Sequence, residues 1–147
     1  MKPKPKFSKQ KLYNICVMKK FIVDTHTLLW FITKDKNISK KAKDILIQCD
    51  GITSQAVIPT IVLAEFLYLC NKYHLDLDIT EIVTSLSESN DFIIFPFNLE
   101  IFFKMLKLPQ HFEMHDRIIA ATSELFQAPI LTKDRVLMQS NLVETIW

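Results

Sequence analysis

Residues 21–30 read FIVDTHTLLW. Three apolar, β-leaning residues run into Asp24, and THTLLWFITK then takes up helical spacing with Asp24 or Thr25 placed to cap it. This is a strand feeding a helix, with a carboxylate at the joint. The pattern recurs outward from there. SKKAKDILIQC (39–49) opens on a Ser cap, turns Ala42, Ile45 and Leu46 to one face, and leaves Lys40, Lys41 and Lys43 outward. ITSQAVI (52–58) reads as a second strand, and Pro59 suits the first turn of the helix that follows. A helix is expected over 79–89, a strand over DFIIFPF (91–97) ending at Pro96, and a short helix over NLEIFFKMLKL (98–108) that Pro109 stops. MHDRIIAATSELFQ (114–127) is an amphipathic helix, PILTKD (129–134) a buried strand and VETIW (143–147) a last short strand. Strands alternating with helices predict an α/β fold, a sandwich around a mostly parallel central sheet.

A chain of 147 residues suits one domain with a proper core. Its single glycine, Gly51, excludes glycine-rich phosphate loops and dinucleotide fingerprints, which need several close backbone approaches that a Cβ blocks. Phosphate chemistry here must rest on side chains or metal ions. Cys16, Cys49 and Cys70 are odd in number and form no CxxC pair, the usage of reduced thiols in a cytosolic core. No run is long and uncharged enough to span a bilayer and no secretory leader is read at the N-terminus, so the expectation is a soluble, cytoplasmic protein with no membrane partner. Seven lysines precede the first acid, and from Phe21 onward 11 basic residues face 16 acidic ones. Residues 1–17 are therefore expected to be a basic, disordered arm or a start-site extension, and 18–147 the folded domain.

One carboxylate interrupts the apolar helix IPTIVLAEFLYLC (58–70): Glu65. An ionised carboxylate buried without a partner costs several kcal/mol, comparable with a domain's net stability. Asp24 closes FIVD and Asp134 closes ILTKD, so both fall at carboxyl ends of strands, where open parallel sheets bind ligands. Asp116 in the first turn of its helix and Glu65 about two turns into its own can point to that same edge. Singly, each acid has a structural explanation as a cap, a turn residue or a solvated side chain. Together they imply a cluster, and clustered carboxylates in a partly dry site stay ionised only if a divalent cation holds them. Oxygen-only ligation suits Mg²⁺ or Mn²⁺, whose chemistry is the activation of water and the clamping of phosphoryl oxygens.

At FIVDTHTLLW, IPTIVLAEFLY, HDRIIAATSELFQAPILTKD and ETIW the chain resembles the PIN-domain family, especially the VapC-like ribonuclease toxins of type II toxin–antitoxin systems. The resemblance covers residues 21–147 and carries the family's acidic set onto Asp24, Glu65, Asp116 and Asp134, and its late hydroxyl onto Thr132. It implies a three-layer α/β/α fold, Mg²⁺- or Mn²⁺-dependent endoribonuclease activity, an RNA substrate, homodimers, and inhibition by a small cognate antitoxin. On this reading the four acids are both catalytic and metal-binding. Thr25 and Thr132 orient carboxylates or water as hydroxyls behind them. Arg117, Lys133 and Arg135 flank the acids and are candidates to hold RNA phosphates. The arm before Met18 lies outside the family pattern.

Three other readings remain. His111 and His115 in HFEMH have the i, i+4 spacing of helical zinc ligands, although Phe112 stands where a metalloprotease places Glu. An aspartyl-phosphatase would want Asp two residues after Asp24, where His26 stands. The main alternative is a non-catalytic PIN-like module that binds RNA or protein, whose mark would be a missing acid.

Overall fold

The computed structural model describes residues 17–147. The expected basic arm, Val17 apart, lies outside the described residues, as does Cys16. Five strands, β1 (Lys19–Val23), β2 (Ser54–Pro59), β3 (Phe92–Phe95), β4 (Ile130–Leu131) and β5 (Thr145–Ile146), form one sheet in the order β3-β2-β1-β4-β5. Every pairing is parallel, with Phe21 beside Ala56, Ile22 beside both Val57 and Ile130, and Leu131 beside Ile146. The helices are α1 (Thr25–Thr33), α2 (Lys40–Gln48), α3 (Thr60–Lys72), α4 (Ile79–Glu88), α5 (Leu99–Met105), α6 (Met114–Phe126) and α7 (Arg135–Gln139). They flank the sheet in the α/β arrangement the alternation predicts.

Parallel strands covered by helices on both faces turn the side chains of both faces into the core, which is why the central ones read as unbroken apolar runs. Ile22, Val23, Ala56, Val57, Ile58, Ile130 and Leu131 are all fully buried. Phe66 and Val62 of α3 and Ile119 and Ala120 of α6 pack into the same core, while Ile101, Ile118 and Ala121 join α5 to α6 in a smaller cluster. Helix starts follow the expected chemistry: Asp24, Ser39, Asp78 and Asn98 each cap the helix after them by accepting a backbone N–H. Gly51, at φ +69°, turns the chain into β2 where a Cβ would lie 2.6 Å from the Asn90 carbonyl oxygen. Cys49 and Cys70 are buried free thiols. No helix among the described residues is long and apolar enough to cross a membrane.

Three local expectations are corrected. Pro59 ends β2 and stands at the N-cap of α3 rather than inside its first turn. The strand expected over 129–134 is only Ile130–Leu131, because Thr132 is drawn into the site and Asp134 opens α7, a five-residue helix too short to leave a periodic signal. His111 lies in the turn before α6, which begins at Met114, so His111 and His115 do not share a helix face and the zinc spacing is not realised.

Candidate metal centre at the sheet's switch point

From β1 the chain builds outward through β2 and β3, then crosses back to lay β4 and β5 on the other side of β1. The strand order thus reverses between β1 and β4, and at such a point the two loops leaving the strands part to open a crevice. Asp24 leaves β1 there, and Thr132 and Asp134 leave β4. Helix α6 runs back toward the start of β4, so its first turn, with Asp116, stands over the same edge. Glu65 arrives from α3. All four acids line one cleft of about 540 Å³, together with His26, Trp30, Glu113, His115, Lys133 and Arg135.

Two threonines tie three of the acids into one chain of hydrogen bonds. Thr25 donates its hydroxyl to Glu65 Oε2 at 2.5 Å and its backbone N–H to Asp24 Oδ1 at 2.7 Å. Thr132 donates its hydroxyl to Asp24 Oδ2 at 2.5 Å and accepts the Asp134 backbone N–H at 2.9 Å. Asp134 in turn accepts the Leu137 N–H at 3.0 Å, which starts α7. Thr25 and Thr132 are buried, so neither hydroxyl can exchange its partner for water at little cost. Both Asp24 oxygens are therefore held in fixed directions.

Electrostatically the site is strained in one sense. Burial pushes the Asp24 carboxyl above its ordinary value, against the stabilising hydrogen bonds from Thr132 and Thr25. Asp116 is pushed up to about 6, first by burial and then by the negative charges of Asp134, Asp24 and Glu113. Among the described residues no hydrogen bond reaches the Asp116 carboxylate, and no group of three or more His, Cys, Asp or Glu side chains stands close enough together to hold a metal ion as it is. The chemistry of the acids nevertheless fits a hard divalent cation: four oxygen donors, one of them free of other partners, share a cleft with enough volume for an ion and its waters.

Of the cationic side chains expected near the acids, Lys133 and Arg135 line the cleft. Arg117 does not. Its guanidinium donates from Nη2 to the Met105 carbonyl at 2.8 Å, and its Nε is buried with no partner among the described residues, so it ties α6 to the end of α5. His26, Trp30 and Glu113 were not singled out as site residues by the sequence, and His115 only as one of a pair of zinc ligands. The available signal was spacing: His26 and Trp30 sit one turn apart on the helix that Asp24 caps, and Glu113 and His115 lie just before Asp116 at the start of α6.

The model of the PIN domain family matches residues 21–140. The chain belongs to the PIN domain family. No curated protein matches it. Solved structures similar to this PIN domain include VapBC2 from Rickettsia felis bound to a DNA fragment from their promoter, with a TM-score of 0.67 at 17% identity over 87% of this chain and 98% of that one. The sarcin-ricin loop cleaving toxin VapC20 of Mycobacterium tuberculosis superimposes with a TM-score of 0.65 at 14% identity, over 84% of this chain and 97% of that one. A toxin–antitoxin complex from Klebsiella pneumoniae gives 0.56 at 23% identity, over 77% and 85%. At these identities the likeness is one of fold.

The bridging role of Thr132 has a consequence for stability. Thr132→Val keeps the volume of a fully buried side chain but strands the Asp24 Oδ2 and the Asp134 N–H, which is expected to lower stability by about 1–3 kcal/mol. Chemical denaturation in EDTA measures this directly, and an unchanged midpoint would mean that the two groups find other partners.

Proposed function

We propose that this PIN domain is a metal-dependent endoribonuclease, the toxin of a type II toxin–antitoxin pair, that hydrolyses RNA phosphodiester bonds. The observation that carries the reading is the gathering of Asp24, Glu65, Asp116 and Asp134 in one cleft at the switch point of a parallel sheet. Asp24 and Asp116 are the central donors for Mg²⁺ or Mn²⁺, with Glu65 and Asp134 completing the set. When bound, the cation supplies a polarised water and offsets the charge that develops on the phosphate. Thr132 and Thr25 fix the Asp24 and Glu65 carboxylates in direction, so their orientation need not be rebuilt when substrate enters. Lys133 and Arg135 receive the phosphates on either side of the bond that breaks.

Partners follow the same reading. A groove of about 590 Å³ between α1, α2 and α4, lined by Phe31, Ile38, Ile47, Ile82 and Leu86 with Lys34 and Lys43 at its margin, suits an amphipathic, partly acidic segment of a small antitoxin. It carries a single carboxylate, Glu81, and so does not compete with the acid cleft as a reaction site. The exposed Phe97, Leu99, Phe102, Phe103 and Leu106 around α5 support a homodimer in which a second copy covers them.

The test is degradation of RNA by the purified chain in Mg²⁺, Mn²⁺ or EDTA. Cutting that needs the cation supports the reading, whereas RNA binding without cutting in any cation would make the chain a non-catalytic PIN module.

Protons compete with a cation for Asp116. The unfolded carboxyl loses its proton near 3.8 and the folded one near 6, so between these values the folded state binds more protons. Stability in EDTA therefore falls as pH rises across that window, and Asp24, raised as well, adds in the same direction. Thermal unfolding of the parent against Asp116→Asn isolates the effect: the variant is expected to lose Asp116's share of the fall and to keep that of Asp24. Added Mg²⁺ is expected to raise the parent's Tm more at pH 7.5 than at pH 5. Equal Mg²⁺ shifts at both pH values would separate Asp116 from the cation.

A further inference from the structure

The acid cleft does not end at the acids. His26 and Trp30, one turn apart on α1, line both this cleft and a second one of about 460 Å³ on their other side, bounded by Leu29, Leu75, Asp35 and Tyr73. The two rings form the ridge between the clefts, with centroids 5.5 Å apart and planes tilted by 48°. Trp30 packs against Trp147, at 5.7 Å between centroids, while His26 and Tyr73 stand exposed. On the acid side, Lys133 Nζ lies 5.6 Å from the centre of the Trp30 ring.

We propose that the His26–Trp30 ridge, continued by Tyr73, is a stacking platform for the bases of a single-stranded RNA whose phosphate lies in the acid cleft. The inference rests on the ribonuclease reading and adds to it which side chains hold the bases beside the reacting phosphate. Charge assigns the two clefts different parts of the strand. Lys133 and Arg135 line the first and attract phosphate, whereas the second has one carboxylate, Asp35, and neither lysine nor arginine, which repels phosphate and leaves aromatic faces and apolar walls for a base. Every base has a π-face, so such a platform tolerates sequence but not pairing, since a base in a duplex has no face to offer. Because Trp30 is already held by Trp147, its ring needs little ordering when RNA arrives.

The test measures binding of a fluorescently labelled single-stranded RNA octamer to the full chain in EDTA, where nothing is cut. A strand of the same length with abasic ribose at every position is the control. The parent is expected to bind RNA at least tenfold more tightly than the abasic strand. His26→Ala and Tyr73→Ala are each expected to weaken RNA binding about tenfold without changing abasic binding, and His26→Phe to restore it by returning a π-face. Equal affinity of the parent for both strands, or RNA binding by both alanine variants that matches the parent's, would overturn the platform while leaving cation-dependent cleavage standing. Failure of the parent to bind RNA at all, together with no cleavage in Mg²⁺ or Mn²⁺, would overturn the platform and the ribonuclease reading together.

Discussion

An Asp24→Asn variant is expected to fold as the parent does and to cleave RNA about 10²–10³-fold more slowly, the loss typical of removing one preorganised electrostatic group from a reacting centre. Both halves follow from the surroundings of the carboxyl. Asparagine caps helices as well as aspartate does, so the start of α1 survives, and its carbonyl oxygen can keep the Thr25 N–H. Its amide then faces Thr132, whose hydroxyl can turn from donor to acceptor. Removing a charge that burial already disfavours is expected to leave the Tm in EDTA equal or higher. What disappears is the central negative donor. Single-turnover cleavage in Mg²⁺ and thermal unfolding in EDTA read the two effects separately, and cleavage at the parent's rate would remove Asp24 from the site.

Glu65→Gln is expected to lower cleavage by about 10²-fold with the fold intact. Glu65 is half-buried, and the Thr25 hydroxyl can donate to a glutamine carbonyl as it does to Oε2, so the change is mainly one of charge. In a helix whose other core-facing residues are Val62, Phe66, Leu69 and Cys70, a carboxylate with no ligand contributes nothing to stability. Urea denaturation without cation is expected to give the same midpoint as the parent or a higher one. A variant that unfolds would show Glu65 to be structural.

The parts of the fold that could be read in advance are those with long patterns. The capped helix behind Asp24 and the amphipathic α6 carry enough periodic residues to name both the element and its start, whereas the strand read at residues 21–23 is named with its end but begins two residues earlier, at Lys19. Legibility fails where tertiary contacts outweigh local pattern. PILTKD has the composition of a full strand, but Thr132 turns its hydroxyl onto Asp24 from 108 residues away in sequence and Asp134 spends its side chain on the Leu137 N–H. Periodicity cannot register either bond. Arg117 beside Asp116 suggested a phosphate contact, yet α6 points successive residues in different directions, and the guanidinium finds the Met105 carbonyl. The gathering of the acids was legible because strand ends and first turns have predictable positions in a parallel α/β fold. The aromatic ridge was not, because histidine and tryptophan on a helix read as ordinary core residues until the clefts on both sides of them are known.

The most direct measurement is titration of the metal-free protein with Mn²⁺, followed by electron paramagnetic resonance of the free ion, for the parent and for Asp24→Asn. If the carboxylates of the switch-point cleft hold the cation, the parent binds Mn²⁺ with an affinity that strengthens as pH rises through about 6, and Asp24→Asn loses that binding while remaining folded. Binding of the same strength in the folded variant, or none in the parent, would contradict the account.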